Sequence, residues 1–442
     1  NATYLLKKKA PAINYFVEVL RNTKGSADEL RAYPQYINEK AYEKLRAAIY
    51  PLALPFDLFA EEVRAAIQKT NLQRWDLMRT MHGAAVPNNP SDGEIAAEYF
   101  GISVNPAAAL DEKRLILVAD TSVAGQQAVW GETGNAAWLN TVGNVKNFLQ
   151  KTGLEYNDLL ALLDLKFINP AGDIAINHLD NSCDTDKKVI QILDATKFDC
   201  IHRFLRLWRK LNGWKMWELD LVIRHKKIGN GSLDEAFLIK LMKFSELKKR
   251  LGSKVTVEQT CALLGNLNIE TRFTRLHEKR EDALYQKLFL NKRLINPLDP
   301  AFQLDPGTGE LAAGATITAH LAVVQAALGV RETDLLIFQK LTKASDDLPY
   351  INNDLNLANL SFLWRHAWLA KTLKFKAEDW VILLKTIDQD LNAFGSPQEA
   401  LDFLDKAAGL KNCGFTIDEL NWLLAADRNT KAAAKEPDAA RF

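Results

Sequence analysis

Cysteine is scarce in this chain. Cys183, Cys200, Cys261 and Cys413 are the four among 442 residues, with no CxxC pair and no companion histidine. That excludes a disulfide-built scaffold and argues against a zinc site. Cys183 and Cys200 are near enough in sequence to be bridged, but isolated thiols in helical packing are the simpler expectation. A charge of one sign is lacking too: Lys+Arg is 56 and Asp+Glu is 55, a net of +1. Dedicated nucleic-acid and membrane-surface binders carry a strong basic excess, so neither is expected. No stretch reaches the roughly 18 apolar residues of a membrane span. The nearest, GATITAHLAVVQAALGV (314–330), contains His320 and Gln325 and is expected to be a buried helix. The opening NATYLLKKKAPAINYFVEVL lacks the order of a secretory leader. The chain is therefore expected to be cut from something longer, or processed.

Groups for chemistry are thin as well. The seven histidines, His82, His178, His202, His225, His277, His320 and His366, are scattered and form no HExxH or other ligand spacing. DNSCDTD (180–186) gathers Asp180, Asp184 and Asp186 but lacks the glycine and distal glutamate of a calcium loop, so a solvated turn is expected. GNGS (229–232) and GTGEL (307–311) are lone glycine pairs with no preceding strand. HEKRED (277–282) reads as a solvent-facing ion-pair ladder on one helix. No catalytic, cofactor or metal residue is named, and no binding residue can be assigned; an enzyme is not expected.

What is present is helical periodicity without a convincing alternating strand pattern. In HRFLRLWRKL (202–211), Phe204, Leu205, Trp208 and Leu211 line one face, and Arg203, Arg206, Arg209 and Lys210 lie largely opposite. WLNTVGNVKNFLQ (138–150) behaves as one helix through Trp138, Leu139, Val142, Val145 and Leu149. The ten tryptophans are expected as core fillers at helix crossings, Trp364 and Trp368 sharing a face. About twenty helices of ordinary length are expected.

One corner recurs. Gly153-Leu154 is followed by Asp158-Leu159; Gly213-Trp214 by Glu218-Leu219; Gly329-Val330 by Asp334-Leu335; Gly414-Phe415 by Glu419-Leu420. Looser copies begin at Asn71, Lys254 and Lys374. The glycine suits a left-handed helix end. The apolar residue after it can staple onto the one five places on, Leu154 on Leu159 or Phe415 on Leu420. The acidic residue between them sits in the first turn, where it favours the free N–H groups. Thr256 with Gln259 and Thr416 with Glu419 make full capping boxes, whereas Glu155 and Lys215 make weaker caps. The corners recur at uneven intervals, several near 40 residues, as in helical-hairpin arrays. The fold class expected is all-α, an irregular solenoid-like array of helical hairpins.

VPNNPSDGE (86–94) and NPLDPAFQLDPGTGE (296–310) are the breaks; NPAGD (169–173) closes the helix after Gly153. The organisation expected is an N-terminal unit (1–86), a central array (87–295), a C-terminal array (296–427) and a frayed or truncated tail (428–442). Between His202 and Arg250 there are 13 Lys/Arg against 5 Asp/Glu. A basic surface facing an acidic neighbour is expected there rather than a nucleic-acid groove, since the aromatics fall on the apolar stripe.

Several collinear segments carry a resemblance: AYEKLRAAIYPLALPFDLFAEEVRAAI (41–67), KTGLEYNDLLALLDLKFINPAG (151–172), IHRFLRLWRKLNGWKMWELDLVI (201–223), LYQKLFLNKRLINPLDPAF (284–302), NLANLSFLWRHAWLAKTL (356–373) and NCGFTIDELNWLLAA (412–426). Together they resemble the A subunits of insecticidal toxin complexes, the Tc toxins, over nearly the whole chain. The resemblance implies a non-enzymatic piece of the α-helical shell, part of a large secreted virulence assembly. It also implies a homopentamer around a translocation channel, receptor binding, a pH-triggered rearrangement, and cargo housed by B and C subunits. Membrane insertion by this segment, nucleic-acid binding and cofactors are not implied. The channel helices, receptor-binding insertions and B-subunit platform have no counterpart here. The alternative is a free-standing helical scaffold that binds another protein through a concave or basic face.

Overall fold

The computed structural model describes residues 39–83, 89–105, 110–191, 193–273, 280–342, 349–388 and 392–425. Among them are twenty α-helices and only four strands, each two or three residues long, in two two-stranded sheets. The all-α expectation holds; the ribbons were too short for an alternating pattern to register. The chain divides into two compact units.

The first unit comprises the described residues within 39–224 and 231–242, with 273. It begins with α1 (Glu39–Ala47), α2 (Leu58–Gln68), α3 (Arg74–Met81), α4 (Asp92–Tyr99), α5 (Glu112–Leu117) and α6 (Val123–Val129). It continues through α7 (Trp138–Gly143), α8 (Val145–Thr152), α9 (Tyr156–Leu163), α10 (Ala195–Lys210) and α11 (Met216–Arg224). Segment 138–150 is therefore two helices rather than one. Asn144, extended at φ −65° and ψ 126°, accepts the Asn147 N–H at 3.3 Å as a cap and donates to the Asp186 carbonyl at 2.8 Å. The break moves the buried face to Trp138, Val142, Val145 and Phe148. Helix α10 is the axis of this unit, packing on α5 and α6. Beside it Phe198, Trp130, Trp138 and Phe148 interlock, with Trp130 edge-on to Phe198 at 5.1 Å.

Helix α12 (Glu235–Leu251) is shared, Glu235–Met242 falling in the first unit and the rest in the second. The second unit also holds residues 225–230, the rest of 243–272 and the described residues from 280 onward. Its helices are α13 (Val257–Leu264), α14 (Leu284–Phe289), α15 (Leu321–Leu328), α16 (Glu332–Gln339), α17 (Leu357–Leu373), α18 (Ala377–Ile387), α19 (Pro397–Asn412) and α20 (Ile417–Ala425). The apolar run 314–330 yields α15, with Val324 and Ala327 buried, and among the described residues no helix is long and apolar enough to cross a membrane. Helix α17 is the centre, packed by α13, α15, α16 and α18. Its His366 lies among Phe362, Phe394 and Trp380, whose Nε1 donates to His366 Nδ1 at 3.3 Å.

The recurring corners are built as their residue types require. Gly153, Gly213, Gly329 and Gly414 all have left-handed backbone, φ +63° to +86°, and so do Asn71 (+60°) and Lys374 (+61°) in the looser copies. Lys254 does not; Gly252, two residues earlier, supplies the positive φ there. Both expected boxes form: the Thr256 N–H donates to Gln259 at 3.0 Å and the Thr416 N–H to Glu419 at 2.7 Å. Leu154 and Leu159 are buried as a staple should be. Phe415 is not. It is 52% exposed while Leu420 is 6% exposed, so that corner is anchored by Leu420 alone.

HEKRED is not a helical ladder, although 277–279 lie outside the described residues. Arg280–Glu281 form a strand, Arg280 donating to the Thr271 carbonyl at 3.1 Å and Glu281 facing Arg272 at 3.4 Å.

Candidate interaction surface

The basic run is where sequence and structure differ most. Arg203 and Arg206 of α10 are buried, not displayed on a basic surface. Arg206 donates to the carbonyls of Ile49 (2.6 Å), Leu52 (2.9 Å) and Leu54. Arg203 donates to those of Ile116 (2.8 Å), Leu117 (3.0 Å) and Leu233, and pairs with Asp199 at 3.3 Å. Arg209 reaches the Thr152 carbonyl and Lys210 that of Gly101. Irregular loops leave carbonyls without helical partners, and a guanidinium supplies up to five donors to them. Burial lowers Arg206 to about 10, yet three carbonyls hold its two terminal nitrogens without a carboxylate, only the buried Nε lacking a partner. The sequence signal was available: arginines three apart in a helix whose other face is wholly apolar, and a proline-rich loop, YPLALP (50–55), with idle carbonyls.

That clamped loop positions an open apolar surface of the first unit. Leu45, Leu54, Phe56 and Leu58 cluster beneath it with Tyr42. Asp57 then caps α2 through the Ala60 N–H (3.2 Å) and holds Arg46 at 3.2 Å. Helices α2 and α3 project from this base, and α3 has no buried residue. Phe59 (60% exposed), Val63, Leu77 (40%) and Met81 face an open groove of about 660 Å³. One wall is ionic but self-contained. Buried Glu98 accepts from Arg64 Nε at 2.7 Å and Nη2 at 2.8 Å, and from Arg74 at 2.6 Å. Burial works against the Arg64 charge, but Glu98 and Glu61 outweigh it and hold the guanidinium above its usual range. With those charges spent on one another, the groove offers apolar area for a partner. The second unit has a smaller counterpart on and before α20, at Phe415, Leu423 and Leu424.

The remaining sequence candidates are placed as follows. Asp180 accepts both the N–H and hydroxyl of Ser182 (2.9 and 2.6 Å), and these bonds hold its carboxyl below the usual range. Asp186 lies 3.8 Å from Lys146. Among the described residues no cluster of three His, Cys, Asp or Glu could hold a metal ion. The four thiols are free: Cys261 is buried, Cys200 half-buried, Cys183 and Cys413 exposed. His202, His225 and His366 are enclosed in packing. His320 pairs with Asp299 at 2.6 Å, and His82 and His178 are exposed. His277 lies outside the described residues.

No family model matches the chain, and no curated protein does. Among solved structures it is similar to TcdA4 of Morganella morganii, determined by cryo-EM, with a TM-score of 0.55 and 14% identity. The fold is of the Tc A type. The likeness covers 89% of this chain and 22% of that one, so this chain spans under a quarter of TcdA4. At that identity the likeness concerns fold alone.

Proposed function

We propose that the chain is a non-enzymatic structural module of a Tc-type toxin A subunit, part of a helical shell that surrounds and protects a translocation channel. The observation that carries this reading is the coincidence of a Tc A-type fold over 89% of the chain with a 22% share of the neighbour's length. A module of a longer polypeptide needs faces on which its remaining helices pack, and the α2–α3 groove is such a face. Secretion with the complex, pentamer formation, and contact with B and C subunits and a host receptor belong to the whole assembly. The scaffold alternative offered a concave or basic face, and burial of Arg203 and Arg206 removes part of the basic one.

The test is association. Phe59→Asp with Leu77→Asp, made in the chain supplied beside the rest of a Tc A polypeptide, should abolish co-purification and ring particles in negative stain while leaving the circular dichroism of the chain alone unchanged. Rings that form as before would refute the assignment of that face.

A further inference from the structure

Most basic groups described above have found either a carboxylate or several carbonyls. Arg365 and Lys227 in the second unit have not. Arg365, on α17, donates through Nη2 to the Gly265 carbonyl at 2.7 Å, and its buried Nε has no partner. Among the described residues that is its only hydrogen bond. Its guanidinium carbon stands 5.9 Å from the Phe394 ring centroid. Lys227 reaches the same residue, Nζ donating to the Phe394 carbonyl at 2.7 Å, and its ammonium feels the Arg365 charge. No carboxylate lies within ion-pair distance of either among the described residues; Glu399 is the acid whose field reaches Lys227, and Lys226 adds an exposed charge beside it. His225 walls the site as a neutral ring: its Nδ1 accepts the Lys227 N–H at 3.2 Å and its Nε2 meets the Cys261 carbonyl at 3.2 Å. It sits so close to Gly265 that a Cβ there would fall 2.6 Å from Nε2.

An enclosed cation such as Arg365 is ordinarily paired, because an unpaired one loses its hydration without return, whereas Lys227 beside it is exposed. Arg206 meets that need with three carbonyls, whereas Arg365 has one. We propose that Arg365 and Lys227 together form a binding site for an oxyanion, held by the unused guanidinium N–H groups and the lysine ammonium. A planar guanidinium suits two oxygens of one group, and Lys227 adds a point charge. Burial lowers both cations, Arg365 to about 10, and the Arg365 charge lowers Lys227 further against the pull of Glu399.

The experiment is thermal unfolding of the full chain in sodium sulfate, sodium phosphate, sodium acetate and sodium chloride at matched ionic strength. An anion held only by the folded chain, at about ten times its dissociation constant, lowers the unfolded-to-folded ratio about elevenfold. Sulfate and phosphate are expected to raise the midpoint above chloride, and Lys227→Met and Arg365→Met each to erase that difference. An equal rise in acetate identifies a carboxylate as sufficient; a rise confined to sulfate and phosphate identifies a tetrahedral oxyanion. Lys227 is on the surface, so Lys227→Met carries the test should Arg365→Met not fold. Identical midpoints in all four salts, or a sulfate effect undiminished in Lys227→Met, would overturn the site.

Discussion

At the scale of single residues, the fold depends on polar groups that serve the backbone. Arg206 is the strongest case. Arg206→Met would leave the carbonyls of Ile49, Leu52 and Leu54 facing a thioether. With each stranded acceptor costing about 1–3 kcal/mol, a loss of at least about 3 kcal/mol is expected in urea unfolding. Arg206→Lys should recover little, since one ammonium cannot span three acceptors in a fixed plane. A midpoint within error of the parent for Arg206→Met would remove the clamp from the account. The buried histidines set a pH dependence. Burial holds His202 and His225 at about 4 and His366 at about 3, against an ordinary 6.5. For groups lowered on folding, the unfolded chain binds more protons below about pH 6.5. Stability is thus complete above that pH and falls as pH drops towards 4, by up to about 1.4 kcal/mol per pH unit for each histidine. Urea midpoints between about pH 7 and pH 5 check this, and His366→Gln should flatten the slope.

At the scale of elements, the corners make two predictions of opposite sign. Gly153→Ala has open space for its Cβ, so its cost is purely conformational, about 1 kcal/mol. Lys374→Gly relieves a left-handed non-glycine residue and should stabilise by about 1 kcal/mol. Calorimetry that found both changes destabilising would break the common explanation. Burial also separates two residues that the sequence treated alike: Leu420→Ala should cost about 2–4 kcal/mol and Phe415→Ala well under about 1 kcal/mol. The corners were legible because a left-handed helix end, an apolar staple and an acidic first turn are local demands. Even Asn71 and Lys374 could be placed from the offsets alone. The arginines of α10 were misplaced for the opposite reason: periodicity says which residues share a face, not whether a distant loop covers that face. Asn144 leaves no mark in the sequence because a cap residue between two apolar stretches preserves the overall pattern. The α2–α3 groove was not legible either, since Phe59, Val63 and Leu77 read like any core-facing stripe.

At the scale of the whole molecule, two all-α units carry enclosed polar clamps and leave apolar edges at α2–α3 and α20. Such edges are where a helical array continues, because terminal elements of a self-sufficient array carry polar outer faces. The measurement that bears most directly on this is the intact mass of the polypeptide in its native source. A Tc A module belongs to a chain several times the 49.6 kDa of these 442 residues, assembled into a ring in which Phe59 and Leu77 are covered. A native polypeptide near 50 kDa, monomeric and with both side chains open to solvent, would contradict it.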